Sequence, residues 1–267
     1  MNIDKQLENL IKNKRVAIIG PAEYVHHELD DNHGEYIDSY DIVIRLNSLF
    51  HVPEDLKKYY GTKYNIISSA FWHRLNNDYQ DKDLVWKQAR FCSEEDYKNL
   101  NDKTILLECY ARNEFLEIYN KFKKTIDSKN LYYGNISYEK QIEIHHFLRN
   151  CYPISKTPTT GLSTIALILL CKPRKLYVTG ITCYQENPYK PHFDGYYKQS
   201  EETVWNYNTI PTNGYDIKSG SFNDKDGKEN DNVHHNFNGE AKILKKLVEE
   251  KFLKVDKYLK KLLKKIN

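Results

Sequence analysis

The 267-residue sequence predicts an α/β fold, a Rossmann-like and mostly parallel sheet flanked by helices. Three features predict it. Arg15-Val-Ala-Ile-Ile-Gly20 and Lys175-Leu-Tyr-Val-Thr-Gly180 are short apolar runs that stop at glycine, as strands buried on both faces do. Further runs of this kind alternate with stretches of helical spacing, the order of a sheet wound through crossover helices. The length and a 40% hydrophobic content suit one large domain with a core of its own.

The elements follow in chain order. Residues 1–14 are charged, with Leu7, Leu10 and Ile11 on one side, which predicts a helix and offers no apolar stretch of signal-peptide length. Residues 15–20, 40–46, 64–68 and 104–107 read as strands. Helical spacing covers 114–124 and 138–148. Residues 161–171 form a strongly apolar helix, and 175–179 form the strand after it. The run 165–170 is the longest aliphatic one, far below the roughly 18 residues of a membrane span. Residues 185–234 hold only four aliphatic side chains (Val204, Ile210, Ile217, Val233), too few for a core, and read as a polar lid or binding insert. A last helix begins after His235.

Charge separates body from tail. Lys and Arg number 40 against 37 Asp and Glu, a net +3. Residues 257–267 contain five Lys and no acid; without them the balance is 35 against 37. A slightly acidic body argues against nucleic acid as a partner. The domain is therefore expected to run over 1–256, with 257–267 a basic amphipathic tail. Tyr258, Leu259, Leu262, Leu263 and Ile266 either pack on the domain or meet an anionic membrane surface. Five widely spaced Cys (92, 109, 151, 171, 183) without a CxxC fit reduced thiols and a cytoplasmic setting.

Ligands in such sheets lie at the carboxyl ends of the strands, which directs attention to Gly20, Arg45-Leu-Asn47 and Gly180. Pro158-Thr159-Thr160-Gly161 opens an apolar helix, so free amides and hydroxyls there suit a phosphate or carboxylate; the same residues also read as an ordinary helix cap. Asn47, just past a strand end, suits a sugar hydroxyl or base edge, or a turn. His235, ahead of a helix and five residues before Glu240, is a candidate general base or a surface histidine. Tyr184, Tyr189, His192, Tyr196 and Tyr197 offer donors that could stabilise a leaving phosphate without a metal, or are simply loop residues of a chain with 22 Tyr. There is no GxxxxGK[ST], GxGxxG or HExxH motif. Asp224-Lys-Asp226-Gly227 fails as a calcium loop, because Phe222 takes its first position. As DxD motifs, Asp224/Asp226 and Asp81/Asp83 lack a leading strand and read as solvated turns.

Taken in order, these motifs resemble those of the sialyltransferases. Residues 16–20, Ile37-Asp38-Ser39, 41–47 and Gly61-Thr62-Lys63 resemble the large sialyl motif of the animal-type family. Residues 158–161 through 177–180 resemble the small motif, His192 the short third motif, and His235 with Glu240 the very small one. Gly180-Ile-Thr-Cys-Tyr184-Gln185 and the His235 segment are also similar to the bacterial Campylobacter-type sialyltransferases. The resemblance implies a glycosyltransferase-A-type variant of the fold, a CMP-sialic acid donor, a glycan or glycolipid acceptor with terminal galactose expected, inversion, and no metal or other cofactor. It makes His235 the base, and it lines the donor pocket with Gly20, Asn47, Thr159, Thr160, Gly161 and Gly180. Arg45 and Glu240 become supporting residues. Either Tyr184 with Tyr189 (bacterial pattern) or His192 (animal pattern) assists the leaving phosphate. Pro21 stands where both families carry Asn, which leaves open another CMP-activated acidic sugar of the 3-deoxy-octulosonate type. A non-catalytic nucleotide- or glycan-binding protein on the same fold is the alternative of a different class. Val16 replaces the Cys that the animal family pairs with a small-motif Cys, near Cys171 here; that loss also fits a reducing compartment.

Overall fold

The computed structural model describes residues 3–47, 52–69, 97–110, 115–154, 156–185, 187–190, 215–216, 221–222 and 235–266. Seven parallel strands form one sheet: β1 (Arg15–Ile19), β2 (Ile42–Leu46), β3 (Ile66–Ser69), β4 (Ile105–Glu108), β5 (Tyr132–Asn135), β6 (Lys175–Thr179) and a final strand (Lys254–Val255). Their spatial order is β5-β4-β3-β2-β1-β6 and then the final strand. The chain thus winds outward from β1 to one edge, returns, and lays β6 on the other side of β1. That reversal makes the β1/β6 boundary the topological switch point, where a crevice opens at the strands' carboxyl ends. Pairing is in step from Arg15 opposite Lys175 to Ile19 opposite Thr179. Gly20 and Gly180 therefore leave the sheet side by side. A separate antiparallel pair, 215–216 with 221–222, lies within the polar insert.

The strands are buried on both faces, which is why they read as apolar runs rather than as alternation. Ile66, Ile105 and Leu107 face the large core, while their neighbours Ile67 and Leu106 face a smaller cluster with Ile126, Leu131 and Tyr133. Ile126 comes from the helix Phe115–Ser128, which precedes β5. The large core also takes in Leu7 and Ile11 of the N-terminal helix (Ile3–Ile11), Ile144 and Leu148 of helix Tyr138–Cys151, and most of helix Thr160–Leu170.

β5 and the final strand are the elements of the sheet that the sequence does not announce. Both are edge strands: Tyr-Tyr-Gly-Asn and Lys-Val have too few apolar residues to resemble the buried ones. Three short helices are likewise unannounced: Tyr24–Glu28, His33–Asp38 and Lys57–Tyr60.

The tail belongs to the same core as the rest of the chain. Its helix, Lys257–Lys264, buries Leu259, Leu262 and Leu263, and Tyr258 stacks on Tyr24 with ring centroids 4.5 Å apart. Asp256 caps it, with Oδ1 accepting from Leu259 N at 2.7 Å, and Oδ2 accepts from Tyr24 Oη and Thr179 Oγ1. The apolar face that could have met a membrane is thus covered by protein, and the five lysines face outward. No helix among the described residues is long and apolar enough to cross a membrane.

Candidate functional site

The two glycines at the switch point are there for each other. A Cβ on Gly20 would stand 2.2 Å from the Gly180 carbonyl oxygen, and one on Gly180 would stand 2.0 Å from that of Gly20. Gly180 also has φ +70°, a left-handed conformation that side chains disfavour. Tyr24 Oη accepts from Gly180 N at 2.8 Å and donates to Asp256 Oδ2 at 2.7 Å, so the crevice wall is tied to the C-terminal helix. These contacts account for glycine at both positions through backbone packing.

Asn47 follows β2 in the left-handed region (φ +54°), which asparagine tolerates better than most residues. Its Oδ1 accepts from Ser69 Oγ at 3.0 Å, which leaves Nδ2 as the end a ligand would meet. Beside it, Thr164 Oγ1 donates to Thr160 O and accepts from Ser68 Oγ, each at 2.7 Å. The strand ends at Asn47 and Ser68 are thereby joined to the start of the apolar helix.

Much of the stretch that resembles the large motif forms a clasp behind the site. The Asp38 carboxylate accepts from Thr62 N, Lys63 N and Thr62 Oγ1. Arg45, fully buried, donates Nε to Lys63 O and Nη2 to Tyr60 O at 3.0 Å each. Burial lowers its guanidinium to about 10. Arg45 acts here by fastening the 60–63 turn to β2.

The helix Thr160–Leu170 begins with Thr159 as its cap, Oγ1 accepting from Leu162 N at 3.3 Å. Glu240 reaches across and holds that cap at two points: Thr159 N donates to Oε1 at 2.8 Å and Thr159 Oγ1 to Oε2 at 2.6 Å. Burial raises the Glu240 carboxyl to about 7, and the two hydrogen bonds from Thr159 partly oppose it. Tyr110 Oη, also buried, donates to Pro158 O at 2.7 Å. With Thr159 and Leu162 so engaged, the N–H groups of Thr160 and Gly161 meet no protein acceptor among the described residues. A Cβ on Gly161 would make only ordinary contacts, 3.5 Å from Ile181 Cδ1 and from Leu46 Cδ1. Protein packing does not require a glycine there.

His235 lies just before the helix Phe237–Glu249, and its Nδ1 lies 2.7 Å from Thr157 O. A carbonyl only accepts, so Nδ1 carries the hydrogen and the neutral ring keeps its lone pair on Nε2. Tyr184 shares this corner. Its ring packs on Phe237 at 4.5 Å, the His235 ring packs on the same Phe237 at 5.8 Å, and Gln185 Nε2 donates to Phe237 O. Cys183 and Tyr184 both have positive φ, +50° and +52°, so the turn that delivers Tyr184 is held in a strained form. Tyr189 goes elsewhere: its hydroxyl meets the Glu28 carboxylate, and its ring packs against His27 and Tyr258. His192, Tyr196, Tyr197, Asp81, Asp83, Asp224, Asp226 and Cys92 lie outside the described residues.

The site thus brings together Asn47, Thr159, Thr160, Gly161, Tyr184, His235 and Glu240, with Gly20 and Gly180 as its backbone floor. Sequence reasoning missed Ser68, Ser69, Thr164, Tyr110 and Tyr24, which act through partners far along the chain and leave no local pattern. Asp256 did leave one, a helix cap directly before the Lys257 helix.

No protein-family model matches the sequence, and no curated protein matches it. Among solved structures, the crystal structure of a mammalian sialyltransferase aligns with 95% of this chain and 77% of its own, with a TM-score of 0.47 and 14% sequence identity.

Proposed function

We propose that this protein is an inverting glycosyltransferase that moves sialic acid from its CMP ester to a glycan hydroxyl, with terminal galactose as the expected acceptor. One observation carries the chemistry. The amides of Thr160 and Gly161, which meet no acceptor among the described residues, stand at a helix start on the switch-point side of the sheet and are joined through Thr157 to a histidine whose lone pair is on Nε2. The order of the sialyl-like motifs supports the choice of sugar and nucleotide.

In this reading His235 Nε2 takes the proton of the acceptor hydroxyl as its oxygen bonds to the anomeric carbon. The bond from that carbon to the CMP phosphate oxygen breaks, and CMP leaves with the electron pair. The Thr160 and Gly161 amides meet the phosphate, assisted by the Tyr184 hydroxyl, and the helix dipole favours the same charge. Asn47 Nδ2 meets the nucleotide. Glu240 positions the Thr159 cap and touches no reacting atom.

The test is incubation with CMP-sialic acid and a labelled lactoside, in parallel with other CMP-sugars including the 3-deoxy-octulosonate. A sialylated product of one linkage, formed in the presence of chelator, is expected. Transfer only from another CMP-sugar changes the donor, and binding without turnover makes the chain a binding protein instead. Complete loss of activity in chelator would overturn the metal-free mechanism.

The glycines separate floor from ligand contact. Gly20→Ala is expected to cost about 2–4 kcal/mol of stability, because its Cβ meets backbone that can yield only by parting β1 from β6. Gly161→Ala is expected to leave the unfolding midpoint unchanged or slightly higher and to weaken CMP binding about tenfold, as seen by calorimetry. Unchanged CMP affinity in Gly161→Ala would remove the phosphate from this helix start.

A further inference from the structure

The turn that leaves Gly20 carries a constellation that the transfer reaction does not use. Glu23 has helical backbone angles (φ −58°, ψ −33°) immediately ahead of Tyr24–Glu28. Glu23, His26 and His27 therefore stand at i, i+3 and i+4 of one continuous turn and share a face. One donor atom from each lies within 4.8 Å of those of the other two.

These side chains are already held in place. Glu23 Oε2 accepts from Lys190 N at 2.8 Å, while Oε1 lies 4.0 Å from His27 Nε2. The His27 ring lies nearly parallel to Tyr189, 12° apart in plane with centroids 5.2 Å apart. Proton accounting gives the tautomer of His26. The buried Tyr60 hydroxyl donates its single proton to Ala22 O at 2.8 Å, so toward His26 Nδ1, 3.3 Å away, its oxygen is an acceptor. Nδ1 then carries the hydrogen and the lone pair lies on Nε2. An outer partner on one imidazole nitrogen that leaves the other as a ligand is the usual arrangement around a metal-bound histidine.

We propose that Glu23, His26 and His27 bind one zinc-class divalent cation. Two neutral imidazoles and a carboxylate suit zinc, with a water completing a tetrahedron. Donor atoms about 3.4 Å apart are what bonds of roughly 2.0–2.1 Å require, so the 4.0 Å between Glu23 and His27 closes with small side-chain rotations. The His27 side chain is 46% exposed, which gives the cation a way in and its water a place. Oxygen-seeking magnesium is a poor match to the two nitrogens. The site sits on a joint: Glu23 N also donates to Lys190 O at 3.1 Å, so the chain leaving β6 is fastened to this turn through both backbone and carboxylate. A bound cation stiffens that joint and takes no part in the transfer reaction.

Full-length protein stripped with chelator and titrated with Co²⁺ and Zn²⁺ tests this. One equivalent is expected, with visible cobalt bands of a low-coordinate nitrogen–oxygen site and a zinc-dependent rise in the unfolding midpoint. Glu23→Gln, and separately His27→Gln, are expected to weaken zinc binding about tenfold or more and to bleach the cobalt bands, by analogy with loss of even an outer-shell partner. His27 is exposed enough that its variant folds, which keeps the test valid if a His26 variant does not. His145→Gln with His146→Gln, on the helix Tyr138–Cys151, is expected to change nothing. Absence of a bound equivalent, or zinc affinity undiminished in His27→Gln and Glu23→Gln, overturns the assignment.

Discussion

His235→Ala is expected to lower kcat/KM for transfer by about 10²–10⁴-fold, the usual contribution of a positioned general base and about 3–5 kcal/mol of barrier. The substitution also removes the hydrogen bond to Thr157 O, which at this partly exposed position contributes about 1 kcal/mol to stability. His235→Asn separates the two roles. Its side-chain amide can reproduce the donation from Nδ1, so stability is expected to return while the rate does not, because nothing replaces the lone pair on Nε2. In the wild type the rate is expected to fall on the acid side as the imidazole gains a proton, and this limb is expected to vanish from the residual activity of both variants. Transfer by His235→Ala at near the wild-type rate would remove the base from this corner of the protein.

Glu240 is expected to set both the stability of the site and its pH dependence. Burial raises its carboxyl from 4.5 to about 7, so the folded protein holds this proton more tightly than the unfolded chain does. The sign follows from linkage. The contribution is fully present below about pH 4.5, is lost as pH rises toward 7, and is flat above that, for a total of about 3 kcal/mol. Glu240→Gln does not titrate, so relative to wild type it is expected to gain stability between pH 5 and pH 8 in denaturant unfolding. Parallel curves for the two proteins would refute this. Glu240→Ala instead leaves Thr159 N–H and Oγ1 without their acceptor in a partly buried place. A loss of about 2–4 kcal/mol is expected, together with lower transfer activity at every pH.

The interior of the sheet is legible in the sequence because its strands are buried on both faces. Four apolar residues and a glycine cannot be much else, and 175–179 is placed to the residue. β5 and the final strand are illegible for the complementary reason: an edge needs half the burial and tolerates polar side chains. The site is legible in part. Thr159, Thr160, Gly161 and His235 show themselves by standing at helix starts, where orphan amides make local composition informative. Gly20 and Gly180 suggest a ligand by their place at strand ends, yet their absent side chains are explained by one another. Tyr184 and Tyr189 stand five residues apart and read as a pair, but their contacts lie with Phe237 in one case and with Glu28 and His27 in the other.

The tail shows where local information ends. Its amphipathic spacing establishes a helix with one apolar face, because periodicity alone fixes which side chains share a side. Whether that face meets lipid or protein depends on whether the domain offers a surface of matching shape, and Tyr24 and the helix Phe237–Glu249 provide it. The same division holds at the site. By itself the sequence determined the buried strands, the helix starts and the residue types able to bind a phosphate or carry a proton. Only the tertiary structure decided that Glu240 grips Thr159 across 81 positions and that His235 takes its tautomer from Thr157. Such pairings depend on where the chain returns after its crossovers, and no local pattern of residues records that.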